Sequence, residues 1–150
     1  MAGEFELDGF IPYRLNRASE LISLSFARQY KLEFDLTRPE WRTLAALGSV
    51  GVMTATEIGA HSHMHKTKVS RAVRALEERH WLKRIPSETD RRFEQIALTS
   101  QGQQHYRKIT LLARKYQETV RMTLGEEAIR HLELALSAIE TSAGLHRRSR

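Results

Sequence analysis

The sequence predicts a mainly α-helical fold carrying one short two-stranded ribbon. Three observations predict it. Apolar residues recur at helical spacing through most of the 150 positions. Two Thr-x-x-Glu signals, at Thr37–Glu40 and Thr54–Glu57, each open such a stretch, as capping boxes do. Between Leu82 and Leu98 the helical pattern lapses into two short strand-like runs flanking a charged tip.

Taken in order, "PYRLNRASELISLSFARQYKLEF" is the first helix, with Leu15, Ala18, Leu21 and Ile22 along one face. "LTRPEWRTLAAL" starts the second: Thr37 caps, Pro39 sits in the first turn, and Trp41, Leu44, Ala45 and Gly48 share a face. The glycines of "LGSVGVM" break the chain, and "TATEIGAHS" makes a short third helix capped by Thr54. A tight "HSHMH" turn leads into "KTKVSRAVRALEERH". There Val69, Ala72, Val73 and Leu76 form a narrow buried stripe, and Thr67, Arg71 and Arg74 lie opposite, flanked by Lys68 and Ser70. A helix, a tight turn and a helix with a basic outer face form a helix-turn-helix signature. Such a face fits a major groove, where Arg pairs bidentately with guanine and Ser or Thr bonds bases or phosphates.

Leu82–Ile85 and Gln95–Leu98 read as the two strands, with Pro86, Ser87, Asp90 and neighbouring charges at the tip. A ribbon with arginines at its tip directly after a recognition helix is a wing. Thr99 then caps a long helix, and Gly125 separates it from a last one, where Ile129, Leu132, Leu136 and Ile139 recur at heptad-like spacing. That seam can pack on the chain's own core or on a second copy. The fold class expected is therefore mainly α: a winged helix-turn-helix over about 37–99, with long helices over about 11–34 and 100–143, in a single 1–150 domain.

Composition narrows the function. Nine lysines and arginines between Lys66 and Arg92 oppose four acidic residues, leaving five of the six net positive charges in one central segment. Charge focused in this way is the footprint of a nucleic-acid binder. With no cysteine, disulfides, thiolate catalysis and Cys-type zinc sites are excluded. There is no apolar run near the ~20 residues of a membrane span. The acidic start "MAGEFELDGF" lacks signal-peptide order, so a cytoplasmic protein with no membrane partner is expected. Without a Gly-rich phosphate loop, a recognisable nucleophile or a separated carboxylate pair, the chain is not read as an enzyme, and no cofactor is expected.

His61, His63 and His65 raise a metal alternative, a metal-responsive regulator with these three as ligands. Alternate residues converge on one ion only in an extended segment, whereas the pattern here is a helix end and a turn. The reading adopted is a polar turn beside DNA, with no metal. A second alternative is a DNA-packaging protein of little sequence preference, against which the Thr-Ser-Arg groove set argues.

The order and spacing of "LTRPEWRTLAAL", "TATEIGAHSHMHKTKVSRAVRALEERHWLKR", "DRR" and "LTSQG" resemble the MarR family of winged-helix transcription regulators across nearly the whole chain. The resemblance implies a homodimer held by the first and last helices. It implies a recognition helix in the major groove of a pseudo-palindromic operator and a wing-tip arginine in the minor groove. It also implies repression relieved by an anionic aromatic or acyl ligand bound between the dimerisation and DNA-binding parts. Carried over by position, Thr67, Lys68, Ser70, Arg71 and Arg74 read DNA. Asp90 and Arg92 form the wing pair, and Arg91 is a phosphate contact. One departure is His65, where members carry a short capping residue. "PYRLNRAS" with "EWR" resembles a subgroup tied to aromatic-acid catabolism. The implied effector is an aromatic acid or its coenzyme A thioester, with Tyr13, Arg14, Arg17, Trp41 and Arg42 as its receptor: aromatic faces for a ring and guanidinium for a carboxylate or phosphate.

Overall fold

The structure, a computed structural model, describes residues 4–90 and 93–142. A 3-10 turn at Leu7–Gly9 leads into α1 (Ile11–Phe34) and α2 (Arg38–Val50). After β1 (Met53–Thr54) come α3 (Ala55–Ser62) and α4 (Lys66–Glu78), then β2 (Leu82–Ile85) and β3 (Gln95–Leu98), and finally α5 (Ser100–Leu124) and α6 (Glu126–Ser142). The chain divides into two compact units, one ending at Leu112 and one beginning at Ala113, inside α5.

Both capping boxes form. Thr37 Oγ1 accepts from the Glu40 N–H at 3.4 Å while Glu40 Oε2 accepts from the Thr37 N–H at 3.2 Å. Thr54 and Glu57 repeat the exchange at 3.2 and 2.7 Å. Each box satisfies two helix-start donors that have no partner within the helix. Thr99 Oγ1 accepts from the Gly102 N–H at 3.0 Å and donates to the His80 carbonyl at 2.6 Å, which ties the start of α5 to the segment before β2.

In the first unit the core gathers Leu44 and Leu47 of α2, Ile58 of α3, Val69, Val73 and Leu76 of α4, Ile96 of β3 and Ile109 of α5. The α4 stripe read from the sequence is therefore the face that holds this helix to the protein. Gly102 makes a close approach possible: a Cβ there would stand 2.0 Å from the Trp81 carbonyl oxygen. Any larger side chain would push α5 off the strand that begins the wing.

The sheet differs from the two-strand expectation. It has three antiparallel strands in the order β1-β3-β2, with Leu82 opposite Leu98, Ile85 opposite Gln95, and Met53 opposite Ile96. Two residues of β1 are too few to show alternation in a sequence, and Thr54 there also caps α3. The apolar face of α1 expected from Leu15, Leu21 and Ile22 is exposed in the single chain, where only Ala27 and Tyr30 of that helix are buried. In the second unit Ile129 is buried and Leu136 and Ile139 are exposed. Arg121 bonds Glu133 at 2.6 Å across the α5–α6 corner.

Candidate nucleic-acid interface

The turn between α3 and α4 is short because one residue adopts a left-handed backbone. His63 ends α3 with φ 50° and ψ 48°, its N–H bonded to the Gly59 carbonyl. Met64 then bonds the same carbonyl at 3.0 Å and buries its side chain, which anchors the turn. His65 is the N-cap of α4, and its side chain makes no capping bond, so the departure at this position does not move the helix start from Lys66. His61 sits in the last turn of α3. Among the described residues, no three His, Asp or Glu side chains are grouped to hold a metal ion.

Thr67, Lys68, Ser70, Arg71 and Arg74 are all exposed, on the side of α4 away from its buried stripe. Arg74 Nε meets Glu78 Oε1 at 3.3 Å, with both side chains largely in solvent. Asp90 stands at the wing tip, where the Ser87 hydroxyl accepts from its N–H at 3.3 Å. Arg91 and Arg92 lie outside the described residues.

Two basic residues of the central segment do structural work that the sequence did not reveal. Arg84 on β2 donates to Glu77 of α4 at 3.0 Å and to Glu94, just before β3, at 3.1 Å. The Glu77 bond, opposed by burial and helped by Glu94, raises its pKa. This fork fixes the strands of the wing to the recognition helix. Arg79 donates to the Phe34 carbonyl at 2.9 Å and the Asp35 carbonyl at 3.0 Å, and its guanidinium lies 4.7 Å from the Trp81 ring centroid. Trp81 stacks in turn on His105 at 4.0 Å. Burial, with Lys108 and Arg79 nearby, lowers the His105 pKa. Its buried Nδ1 has no hydrogen-bond partner among the described residues.

The residues expected to receive an effector separate into two groups. Tyr13, Arg14 and Arg17 occupy the first turns of α1, where Arg17 meets Asp8 at 3.4 Å and lies 5.7 Å from the Tyr13 ring. Trp41 packs edge-on to Phe26 at 5.3 Å and stacks with Tyr30 at 5.8 Å. Trp41 and Arg42 line a cleft of about 110 Å³ with Ser19, Ser23, Tyr30 and Arg38. Burial raises the Tyr30 pKa against the opposing pull of Arg38 and Arg42, so its phenol stays protonated. Arg38 and Arg42 also line a larger cavity of about 410 Å³, whose other walls include Glu20, His63, His65 and Lys68. Tyr13, Arg14 and Arg17 line neither space.

Residues 34–92 match the sequence model of the MarR family. A curated relative, the uncharacterized HTH-type transcriptional regulator YwoH of Bacillus subtilis (strain 168), is 28% identical over 115 residues, covering 77% of this chain and 82% of its own. Among solved structures, the MarR/EmrR family transcriptional regulator from Acinetobacter sp. ADP1 superposes with a TM-score of 0.81 at 22% identity, covering 94% of this chain and 99% of the other. Bordetella bronchiseptica BpsR, solved to explain regulation of its DNA binding by 6-hydroxynicotinic acid, gives a TM-score of 0.78 at 17% identity, with coverages of 92% and 98%.

Proposed function

We propose that the chain is a winged-helix regulator of the MarR family, whose sequence model matches residues 34–92, and that it is a dimeric, sequence-specific repressor released from its operator by a small anionic aromatic or acyl-CoA ligand. The observation that carries the DNA-binding part is the two-faced α4. Its apolar stripe is locked into the core, and Thr67, Lys68, Ser70, Arg71 and Arg74 stand exposed on the other side. A helix held this rigidly presents a fixed set of donors to a major groove. We assign the minor-groove contact to the wing, with Asp90, Arg91 and Arg92 as its residues.

The exposed apolar positions of α1 and α6 support a homodimer, since Leu21 of the one and Leu134 of the other stand open to water in a single chain. We take residues 11–34 and 100–143 as the dimerisation helices of one 1–150 domain. The aromatic cleft at Trp41 and Arg42 supports the effector class: rings for a ring, guanidinium for a carboxylate. BpsR, whose DNA binding answers to an aromatic acid, adds support by its fold. Tyr13, Arg14 and Arg17 would join that receptor only from the entrance of α1. The chain works in the cytoplasm, where its DNA is; among the described residues no helix is long and apolar enough to cross a membrane.

Selection of bound duplexes from a random pool by the full chain tests the reading. A pseudo-palindrome with half-sites about one helical turn apart should emerge. Arg71→Ala or Arg74→Ala should cost ~1–3 kcal/mol on that site and relax the base preference. Lys68→Ala should weaken all duplexes alike. Enrichment of no motif, with equal affinity for every duplex, would return the chain to a packaging role.

A further inference from the structure

Arg79, His80 and Trp81, which follow α4, meet the end of α1 and the start of α5 at once. Arg79 donates to the Phe34 carbonyl at 2.9 Å and to the Asp35 carbonyl at 3.0 Å. The His80 carbonyl accepts from the Thr99 hydroxyl, and the Trp81 carbonyl accepts from the Thr99 N–H at 3.0 Å. The Trp81 ring stacks on His105 of α5. The turn itself is closed by backbone bonds. The Trp81 N–H reaches the Leu76 carbonyl at 3.0 Å, and the His80 N–H reaches that of Glu77 at 2.9 Å, a helix-ending pair that needs a left-handed residue after the cap. His80 takes that role at φ 62°, a conformation that a residue with a Cβ keeps only where its surroundings enforce it.

This corner is one of two places where α1 is fastened to the elements around α4. In the middle of α1, Phe26 and Tyr30 pack on Trp41 of α2. At its end the Arg79 guanidinium spans two carbonyls. From Phe26 to Phe34 the helix axis runs about 12 Å. Ring packing is non-directional and permits rotation, whereas a planar fork on two oxygens fixes an angle. A further link, Arg38 to Glu20, is an exposed ion pair and constrains little. With the rings alone, α4 and its neighbours can pivot on α1; with the fork they cannot. We propose that Arg79 is a positioning residue for DNA binding: it fixes the angle of α4 to α1, and thereby the separation of the two recognition helices in the dimer.

Leverage sets the size of the effect. Arg79 caps the C-terminal end of α4, and Thr67 lies in the first turn at the other end. At the helical rise the two stand about 18 Å apart. A pivot of about 10° at Arg79 therefore carries Thr67 through about 3 Å, close to the rise of one base pair, about 3.4 Å. Small rotations at this corner are thus enough to change which half-site spacing the dimer fits. Arg79 is occupied by α1 carbonyls and the Trp81 ring, so it acts through α4 and not on phosphate. The proposal rests on the reading of α1 as a dimerisation helix and of α4 as the helix that reads DNA.

Two measurements on the full chain test it, and the first needs no DNA. The sequence has no cysteine, so Ser70→Cys takes a single nitroxide on the exposed face of α4. Pulsed dipolar electron spin resonance then reads the label-to-label distance across the dimer. With Arg79 present the distribution should be narrow. Arg79→Lys, which keeps the charge and loses the fork, should broaden it by several ångström. The second measurement compares duplexes with the selected half-sites at the selected spacing, at one base pair more and at one fewer, beside a duplex with a single half-site. Arg79→Lys should reduce the preference for the selected spacing by about tenfold, as loss of one charge-assisted bond does, and leave the single half-site bound as in wild type. A general loss of stability would weaken every duplex alike and leave that preference unchanged, and a lost phosphate contact would weaken the single half-site too. Arg79→Gln, which also loses the fork, should repeat both results and serves where the lysine variant does not fold. An unchanged distance distribution or an unchanged spacing preference in the folded variants overturns the proposal. A wild-type chain with no label-to-label distance is a monomer, which overturns it together with the dimer reading. A distribution broadened by Arg79→Lys in a chain that selects no duplex supports the fastening of α4 and refutes its DNA-reading role.

Discussion

Arg79→Ala separates a structural cation from a DNA-reading one. Arg79 belongs to the central basic segment, and charge alone would count it as a phosphate contact. Its guanidinium instead donates to the last two carbonyls at the end of α1, Phe34 at 2.9 Å and Asp35 at 3.0 Å, and lies over Trp81 at 4.7 Å. Its side chain is 28% exposed, so water screens these contacts only in part. Hydrogen bonds from a charged donor contribute ~1.5–3 kcal/mol each, and a cation–π contact adds ~0.5–1 kcal/mol at partly exposed sites. The contacts share one side chain and do not add in full, so truncation should cost ~2–4 kcal/mol. The Asp35 carboxylate at 3.7 Å is exposed and adds nothing to this figure. Urea unfolding followed by circular dichroism measures the loss. Arg79→Lys should recover less than half of it, because an ammonium cannot span two carbonyls as the planar fork does. The salt dependence of duplex binding, measured where the variant is folded, should keep its slope. The reasoning is refuted if Arg79→Ala unfolds within ~0.5 kcal/mol of wild type and its salt slope becomes shallower by about one phosphate's worth.

Two further outcomes follow from the same region. Gly102→Ala sets a helix-propensity gain of ~1 kcal/mol against a Cβ placed 2.0 Å from the Trp81 carbonyl oxygen. Backbone cannot rotate away as a side chain can, so the variant should be destabilised by ~1–3 kcal/mol net or fail to fold, and a melting temperature at or above wild type would show that α5 can slide. The His105 pKa is lowered, by burial first and by Lys108 and Arg79 after it, so the folded chain holds fewer protons on this ring than the unfolded one. Its contribution to stability is present above the ordinary imidazole pKa of ~6.5 and is lost as pH falls through the lower folded value. His105→Phe, which keeps a ring on Trp81, should flatten the stability profile between about pH 7 and 5; parallel profiles for the two proteins would remove His105 as the cause.

What could be read from sequence was whatever depends on near neighbours. The capping boxes at Thr37 and Thr54 are three-residue signals, and both form. The stripe of α4 and the bounds of β2 and β3 follow from periodicity, and they fall where the pattern puts them. The roles of Arg79 and Arg84 were hidden because their partners are set by tertiary packing: Phe34 and Asp35 lie 45 and 44 residues from Arg79. Likewise the cationic cavity joins Glu20, Arg42 and Lys68 from three helices, and no spacing in the chain announces that meeting. Trp41 and Arg42 share a cleft, whereas Arg17 is turned to Asp8 and Tyr13.

The useful measure of this protein's electrostatics is therefore which cations can be released to a ligand, not how many there are. Arg84 holds two carboxylates, at 3.0 and 3.1 Å, in a side chain 37% exposed. Breaking that fork would strand both Glu77 and Glu94 beside the wing, so Arg84 stays with the protein and holds β2 and the start of β3 against α4. Arg74 also has a carboxylate partner, but its side chain is 80% exposed and that of Glu78 68%. An exposed pair of this kind contributes close to nothing to stability, so DNA can take the guanidinium at almost no cost. Among the described residues Lys68 has no ion-pair partner to leave, which suits the phosphate contact proposed for it. The same segment thus holds cations fixed by half-buried partners beside exposed ones that the proposed DNA reading would use, and burial of the pair decides which is which.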